Sequence, residues 1–234
     1  MSSVDIVIPV YNEERDLPRC LAKLLPFLEA NVSHNWRVVI ANNGSTDATL
    51  EVARALACRH PRVGYVHLDQ KGRGRALRRA WLESTAHMVS YMDVDLSTDL
   101  GAFPRLLAAL DGGYDIATGS RLIRGAKVQR SFKRAASSHL CSLLMRAMHF
   151  TSFADAQCGF KALTTRAARA LVPLVQSQSW FFDTELLILA QRKGYRIKEI
   201  PVTWLEDPDS RVRLGSYGLE CFKGLLRMRF QRLR

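Results

Sequence analysis

No run of about 18 apolar residues, the length needed to cross a bilayer, occurs in this chain of 234 residues. Any membrane contact is therefore expected to be peripheral. No secretory leader is expected either, because Asp5, Glu13 and Glu14 interrupt what would be its apolar stretch. Cysteine is sparse: Cys20, Cys58, Cys141, Cys158 and Cys221 are odd in number, scattered, and never in a C-x-x-C pair. That argues against a disulfide framework or a zinc site and for a reducing cytosol. Each is expected as a small buried hydrophobe. None of the six histidines (His34, His60, His67, His87, His139 and His149) falls in a motif. Repeats, low-complexity segments and a clear linker are absent. One domain over residues 1–212 is expected, followed by a basic segment over 213–234.

What is present suffices for one sizeable core, with 47% hydrophobic and 24% charged residues. Lys and Arg number 34 against 22 Asp and Glu, a net charge of +12. Such a balance suits an anionic partner: nucleic acid, acidic lipid headgroups or a phosphorylated substrate. A merely solubilising surface is the plainer explanation. The excess is local. Residues 116–154 hold seven cations, Arg121 to Arg146, and no acid, and Glu220 is the one acid among seven cations from Ser210 to Arg234.

Strand-like and helix-like segments alternate in the first half. Val4–Val10 reads as a buried strand. Asn12 can cap a helix from Glu13, with Leu17, Leu21, Leu24, Leu25 and Leu28 at helical spacing. Trp36–Ala41 is a second strand, ended by Asn42-Asn43-Gly44-Ser45. Ser45 or Thr46 can cap a helix running to Cys58. Val63–Leu68, helix Arg75–Ser84 and strand His87–Asp93 follow. This order predicts an α/β fold, an open, mostly parallel sheet with helices on both faces. Ligands of such sheets sit beyond the carboxyl ends of the strands. The second half is less regular: helix Phe103–Leu110, strand Asp115–Thr118, helix Phe181–Arg192 stopped by Gly194, strand Ile197–Trp204, and an amphipathic tail over Leu219–Leu233.

Asp93-Val94-Asp95 places two carboxylates just past a strand end. They would repel unless a cation lay between them. Carboxylate oxygens suit Mg²⁺ or Mn²⁺, and such an ion also binds diphosphate oxygens. Solvated turns carry the same D-x-D pattern, and Asp99 reads as a cap. Ser97 can add a hydroxyl. Tyr11 can stack on a base and Glu13 can accept from ribose hydroxyls, or the two can pack and favour a helix start. Gln70–Arg75 joins flexible backbone to basic side chains and can cradle a diphosphate, or form a solvated turn. It has neither Walker A nor Rossmann spacing.

IPVYNEE, NNGSTDAT, KGRGRALRRA, DVDLSTD, GSR, DAQCGFKAL, WFFDTELL and EIPVTW occur in that order. Together, from about Val4 to Val212, they resemble a family 2 glycosyltransferase of GT-A fold, of the polyprenyl-phosphate sugar synthase type (dolichyl-phosphate glucose or mannose synthases). The resemblance implies that Pro9, Tyr11 and Glu13 line a nucleoside pocket, with Asn42 where the family has an acid. It implies that Asp93 and Asp95 hold the metal; Lys71 and Arg73, in the basic turn, are the residues that could cradle the diphosphate. Arg121, with Arg130 or Arg134, would surround an acceptor phosphate. Asp155, Gln157 and Lys161 belong to a sugar-side loop. Trp180, Asp183 and Glu185 lie beneath the donor, and Ser210 and Arg211 close over the diphosphate.

The expected reaction is inverting, metal-dependent transfer of a hexose to a polyprenyl monophosphate at the inner face of a membrane. Glucose from UDP-glucose is favoured because QCGFK and WFFDTELL look more like the glucose type. Asp95, Arg121, Arg134 and Asp183 are the expected catalytic residues. A phosphate acceptor is already an anion near neutral pH and needs no base. Peripheral docking on an anionic membrane surface, with a membrane-anchoring partner protein if docking is weak, is expected. The alternatives are mannosyl transfer from GDP-mannose, or transfer to a soluble acceptor, where Asp155 or Asp183 would be the base. A basic nucleic-acid-binding protein is also considered, but no recognition motif or stacking array accompanies the charge, so no nucleic acid is expected.

Overall fold

Alternation along VDIVIPV sends Val4, Ile6, Ile8 and Val10 to one side of a strand and Val7 to the other, all buried, and β1 (Ser3–Val10) forms there. The computed structural model describes residues 2–129, 132–206 and 214–230. It continues through α1 (Asp16–Asn31), β2 (Asn35–Asn43), α2 (Thr49–Arg59), β3 (Val63–Leu68), α3 (Arg73–Glu83) and β4 (Met88–Met92). β1 runs parallel to β2 on one side and to β4 on the other, and β2 runs parallel to β3. Chain order therefore reverses at β1, and a crevice opens beyond the ends of β1 and β4. Pairing between them stops at Val7↔Tyr91. Pro9, with no N–H to give, lies past that last pair, where the two strands diverge.

The second half holds α4 (Phe103–Asp111), β5 (Ile116–Ser120), β6 (Lys127–Gln129), α5 (Phe132–His149), β7 (Phe160–Thr164), α6 (Thr165–Leu171), α7 (Phe182–Arg192), β8 (Ile197–Pro201), β9 (Thr203–Leu205) and α8 (Leu214–Phe230). Seven strands form one sheet in the order β3-β2-β1-β4-β7-β5-β8, while β6 and β9 make a separate ribbon. β7 is antiparallel to both β4 and β5; the other neighbours in the sheet are parallel. The expected α/β sheet with helices on both faces is what forms. One face packs on α3, α6, α7 and the inner sides of α5 and α8, around Trp81, Phe182 and Leu225. The other packs on α1, α2 and α4, around Leu21, Phe103 and Leu106. Among the described residues no helix is long and apolar enough to cross a membrane.

Several local expectations need correction. Asn12 does not cap α1. It sits in the left-handed region (φ 56°), and its side chain binds the N–H and hydroxyl of Thr46. The helix begins three residues after Glu13, at Asp16. Ser45 and Thr46 likewise face the β1 loop instead of capping α2, which starts at Thr49. α3 starts inside the basic loop, at Arg73. The strand expected over Ile197–Trp204 is two, because β8 pairs with β5 while β9 pairs with β6. α5 and β7 were not foreseen. Finally, Cys141 and Cys221 meet as a disulfide between α5 and α8, which overturns the expectation of unpaired cysteines. Cys20 and Cys158 are buried and free, as expected, and Cys58 is exposed.

β7 lies between β4 and β5 and joins the two halves of the sheet, and its Phe160 is fully buried, edge-on to Phe103 at 6.0 Å between ring centres. Phe160→Ala should cost about 3–5 kcal/mol, read by denaturant unfolding. A loss below about 1 kcal/mol would show that this strand does not tie the two halves together.

Candidate functional site

Loops after β1, β2, β3 and β4 meet at the crevice. On the β1–β2 side they are zipped by side chains. Thr49 Oγ1 accepts from the Glu13 N–H (2.8 Å), and Glu14 accepts from the Ala48 N–H (3.0 Å). Asn43 donates to the Val10 carbonyl (2.7 Å) and accepts from the Gly72 N–H (3.1 Å). It so joins the end of β1 to the basic loop. Gly44 (φ 72°) permits this closeness, since a Cβ there would stand 2.9 Å from the Lys71 nitrogen. Lys71 Nζ lies 3.7 Å from the centre of the Tyr11 ring, a cation on an aromatic face. Asn42 is fully buried and engages Ser45 and His67 (3.0 Å).

The centre of the crevice is a charge network. Arg73, at the start of α3, donates to Asp93 at the end of β4 (2.6 Å) and to Asp183 in the first turn of α7 (2.7 Å). Its side chain is 12% exposed. Burial alone would lower its pKa, yet the charge of Asp93 and the neighbouring acidic groups raise it well above the ordinary arginine value. Asp183 also accepts from the Tyr91 hydroxyl (2.6 Å) and lies 3.4 Å from Lys161 Nζ. Lys161, fully buried on β7, donates to the Cys158 carbonyl. Two carboxylates and two cations thus balance in a site where an unpaired charge would be costly.

Gly159 makes room for Asp93: a Cβ there would fall 1.7 Å from its Oδ2. Asp95 accepts from the Ser97 N–H (2.9 Å). Asp93, Asp95 and Ser97 line one cleft of about 180 Å³ with Gly159. Among the described residues no group of three or more His, Cys, Asp or Glu could hold a metal by itself. That donor set still fits Mg²⁺ or Mn²⁺ at a nucleotide site, where one or two carboxylates are completed by water and substrate phosphate. Asp93 remains 41% exposed and within reach of such an ion, whereas Asp183 at 2% is not.

A second pair lies alongside. Arg121, after β5, grips Asp155 through Nε (2.8 Å), Nη2 (3.0 Å) and its backbone N–H (3.0 Å). Glu199 of β8 accepts from the N–H groups of Ala154 and Asp155, both at 3.0 Å. Burial would raise the Asp155 pKa, but Arg121's charge and hydrogen bonds bring it down to about 2. The Cys158 thiol, pushed up to about 11 chiefly by burial, feels Arg121, Asp155, Lys161 and Asp93 together. The two networks therefore share one neighbourhood. Gln157 turns aside, its amide donating to Cys141 Sγ (2.8 Å).

The segment before α7 covers the basic loop. The Gln178 carbonyl accepts from Arg75 N–H (3.2 Å) and lies 2.7 Å from where a Gly72 Cβ would stand. Trp180, 40% exposed, has its ring 5.2 Å from the Arg73 guanidinium carbon. Glu185, fully buried, holds this segment by accepting from Ser177 N–H (2.9 Å) and also from Arg227 of α8 (2.6 Å). Glu220 of α8 accepts from the Phe181 N–H (3.1 Å).

Of the residues expected at the site, Asp93, Arg73, Asp183 and Lys161 are joined directly, Asp95 lines the same cleft, and Tyr11 and Lys71 meet each other. Arg121 faces Asp155. Arg134 falls in α5, but its side chain lies outside the described residues, as do Arg130, Ser210 and Arg211 entirely. Sequence reasoning missed Tyr91, Asn43, Gly159 and Glu220. A polar residue inside an apolar strand marks the first, and the second glycine-flanking amide of NNGS the next. Nothing local marked Glu220.

The family model described as Glycosyl transferase family 2 matches residues 5–171. Glycosyltransferase AglD of Haloferax volcanii is 36% identical over 214 residues, 90% of this chain and 34% of that protein. The dolichyl-phosphate beta-glucosyltransferase of Drosophila melanogaster is 31% identical, over 89% of this chain and 69% of that protein. The chain thus spans about a third of the first relative and about two thirds of the second. A crystal structure of glucosyl-3-phosphoglycerate synthase from Mycobacterium tuberculosis, in complex with Mn²⁺, UDP and phosphoglyceric acid, superposes with a TM-score of 0.71. It covers 97% of this chain and 78% of that one at 17% identity, a likeness of fold.

Two stability measurements test the networks. Arg73→Ala breaks the shorter of the two ion pairs of Asp183, leaving it only Lys161 at 3.4 Å, and should cost about 3–5 kcal/mol; adding Asp183→Asn should recover part of that, a coupling of about 0.5–3 kcal/mol. Strict additivity would dissolve the pair. The Asp155 carboxylate is depressed from 3.8 to about 2. Its contribution is full above about pH 4 and is lost as pH falls through about 2, worth about 2 kcal/mol. The stability gap between wild type and Asp155→Asn should accordingly narrow from pH 4 towards pH 2, and a constant gap would remove the assignment.

Proposed function

We propose a specific reaction for this chain, which belongs to glycosyl transferase family 2: inverting transfer of glucose from UDP-glucose to a polyprenyl monophosphate. The observation that carries it is the crevice at the switch point, where Asp93, Asp95 and the cation Arg73 converge beyond β4. The names of the relatives support the sugar and the lipid acceptor.

Tyr11 and Lys71 offer a flat face and a charge for base and diphosphate, with Pro9, Glu13 and the buried Asn42 shaping the wall. Asp93 and Asp95 would hold Mg²⁺ or Mn²⁺, which supplies charge stabilisation to the departing nucleotide. Arg73, within reach of Asp93, provides fixed positive charge of the same sense from the protein itself. Arg121, held by three hydrogen bonds, is positioned for an acceptor phosphate, with Arg134 as its expected companion. Ser210 and Arg211 are assigned to closure over the diphosphate.

Acceptor chemistry decides between two readings. A hydroxyl acceptor needs a base, and the two carboxylates available for that task are both committed. Asp155 titrates near 2 in its pair with Arg121, and Asp183 is surrounded by Arg73, Tyr91 and Lys161. A phosphate monoester, whose second pKa is about 6, attacks without one. The phosphate acceptor is therefore preferred. Asn42 leaves GDP-mannose as the competing donor.

The enzyme is placed peripherally at the cytoplasmic face, where the leaflet is anionic and the chain carries +12. Cysteine usage no longer supports that placement, given the Cys141–Cys221 disulfide. A membrane-anchoring partner would add to weak docking. The boundary at residue 212 is one of role, catalytic before it and basic after it, since α8 shares the core.

Thermal shift with UDP-glucose, GDP-mannose and either metal ranks the donors, because a ligand of the folded state raises its stability. Asp95→Ala should lower glucosyl transfer at least 100-fold, about 2.7 kcal/mol, without altering salt-sensitive DNA retention. Full transfer by that variant would refute the metal assignment.

A further inference from the structure

α8 has two apolar sides. Cys221, Leu225 and Met228 recur at i, i+4 and i+7 and are buried against the core. Leu219, Phe222, Leu226 and Phe230, at i, i+3, i+7 and i+11, fall on the opposite side and are 42–78% exposed. α5, packed beside α8, repeats the pattern. Met145 and His149 turn inward while Leu140 and Leu143 are 58% and 64% exposed. An amphipathic helix needs one apolar stripe to pack; the second has no partner among the described residues. A soluble monomer rarely leaves so continuous an apolar surface open.

The charge around the stripe selects the occupant. Lys223 and Arg229 flank the α8 stripe and Arg146 lies on α5, all exposed. The one acid of α8, Glu220, points inward to the Phe181 N–H. Apolar side chains rimmed by cations, with the acid withdrawn, match the boundary between acyl chains and anionic headgroups. We propose that the outward sides of α5 and α8 together form a docking surface for an anionic lipid bilayer. This rests on the reaction proposed above and deepens it by fixing which face meets the lipid.

The same helix touches the crevice from its other side. Arg227 and Glu220 of α8 reach Glu185 and Phe181 N–H. Phe181's ring would lie 2.4 Å from a Gly224 Cβ, so the helix fits flush against the segment that covers Gly72 and Arg73. α8 is thus a strut, with the bilayer on one side and the donor-site cover on the other. A lipid phosphate entering from the bilayer surface meets a crevice held at a set attitude to it.

Co-sedimentation of the full chain with phosphatidylglycerol/phosphatidylcholine vesicles, against phosphatidylcholine alone, tests the surface. Wild type should partition to the anionic vesicles, less so at high salt. Phe222→Glu with Phe230→Glu should weaken partition at least tenfold, Leu143→Glu at least threefold, and Tyr65→Glu, exposed at β3, not at all. These surface variants should keep wild-type melting temperatures and UDP-glucose binding. Equal partition by the outer-face variants overturns the proposal, as does a concentration-dependent dimer of wild type that Phe222→Glu abolishes. An absence of nucleotide-sugar binding with partition intact would sink the reaction and leave the docking surface standing. The reverse pattern would do the opposite.

Discussion

The guanidinium of Arg73, held between Asp93 and Asp183, is the contact on which the crevice depends. Its two partners come from β4 and α7, ninety residues apart in sequence, and α3 supplies the cation. Three elements must therefore arrive in register before any of these charges is paired. Two glycines permit it. Gly159 leaves the volume that Asp93 occupies, and Gly74 lets the first turn of α3 press on Phe182, where a Cβ would come within 2.7 Å. An Ala at either position would force the network apart before it touched any substrate.

The balance of that network also shapes the chemistry. Arg73 and Lys161 offset Asp93 and Asp183, and Arg121 offsets Asp155, so these six charges at the crevice sum to zero. A donor diphosphate adds negative charge to a neutral interior. On the proposed assignment it would be matched either by a divalent ion at Asp93 and Asp95 or by the release of a cation from its present partner. This makes ion and nucleotide mutually dependent, since neither carboxylate alone outcompetes water for a hard cation. The locked state of Asp155 and Asp183 then reads as a feature suited to an acceptor that arrives already ionised.

Much of this was legible beforehand, for definable reasons. β1 to β4 announce themselves because their apolar alternation is strong and their loops carry glycine, asparagine and acid. Tyr11, Lys71, Arg73, Asp93 and Asp95 lie at one edge because parallel strands deliver their carboxyl-end loops there. β7 hid behind Lys161: a lysine inside FKALT argues against a buried strand unless its partners, Asp183 and the Cys158 carbonyl, are known. α5 hid because its serines, alanines and arginines give a weak apolar stripe. Asn12 looked like a cap because an amide before a helix usually is one, but here it clamps the neighbouring loop. The Cys141–Cys221 pair spans 80 residues, and spacing carries no trace of it.

Burial at Glu185 resolves why an acid stands in an otherwise apolar helix. Its neighbour Asp183 serves Arg73, but Glu185 holds the segment before α7, with one oxygen shared between Ser177 N–H and Arg227 and the other without a partner among the described residues. Leaving a buried carboxylate half-satisfied costs stability that a leucine there would not. The return is geometric. A single charged atom joins two elements at once, the cover over the basic loop and α8. Replacing Glu185 by a hydrophobe would keep the core filled and lose the angle between them, so the acid is better understood as setting orientation than as adding stability.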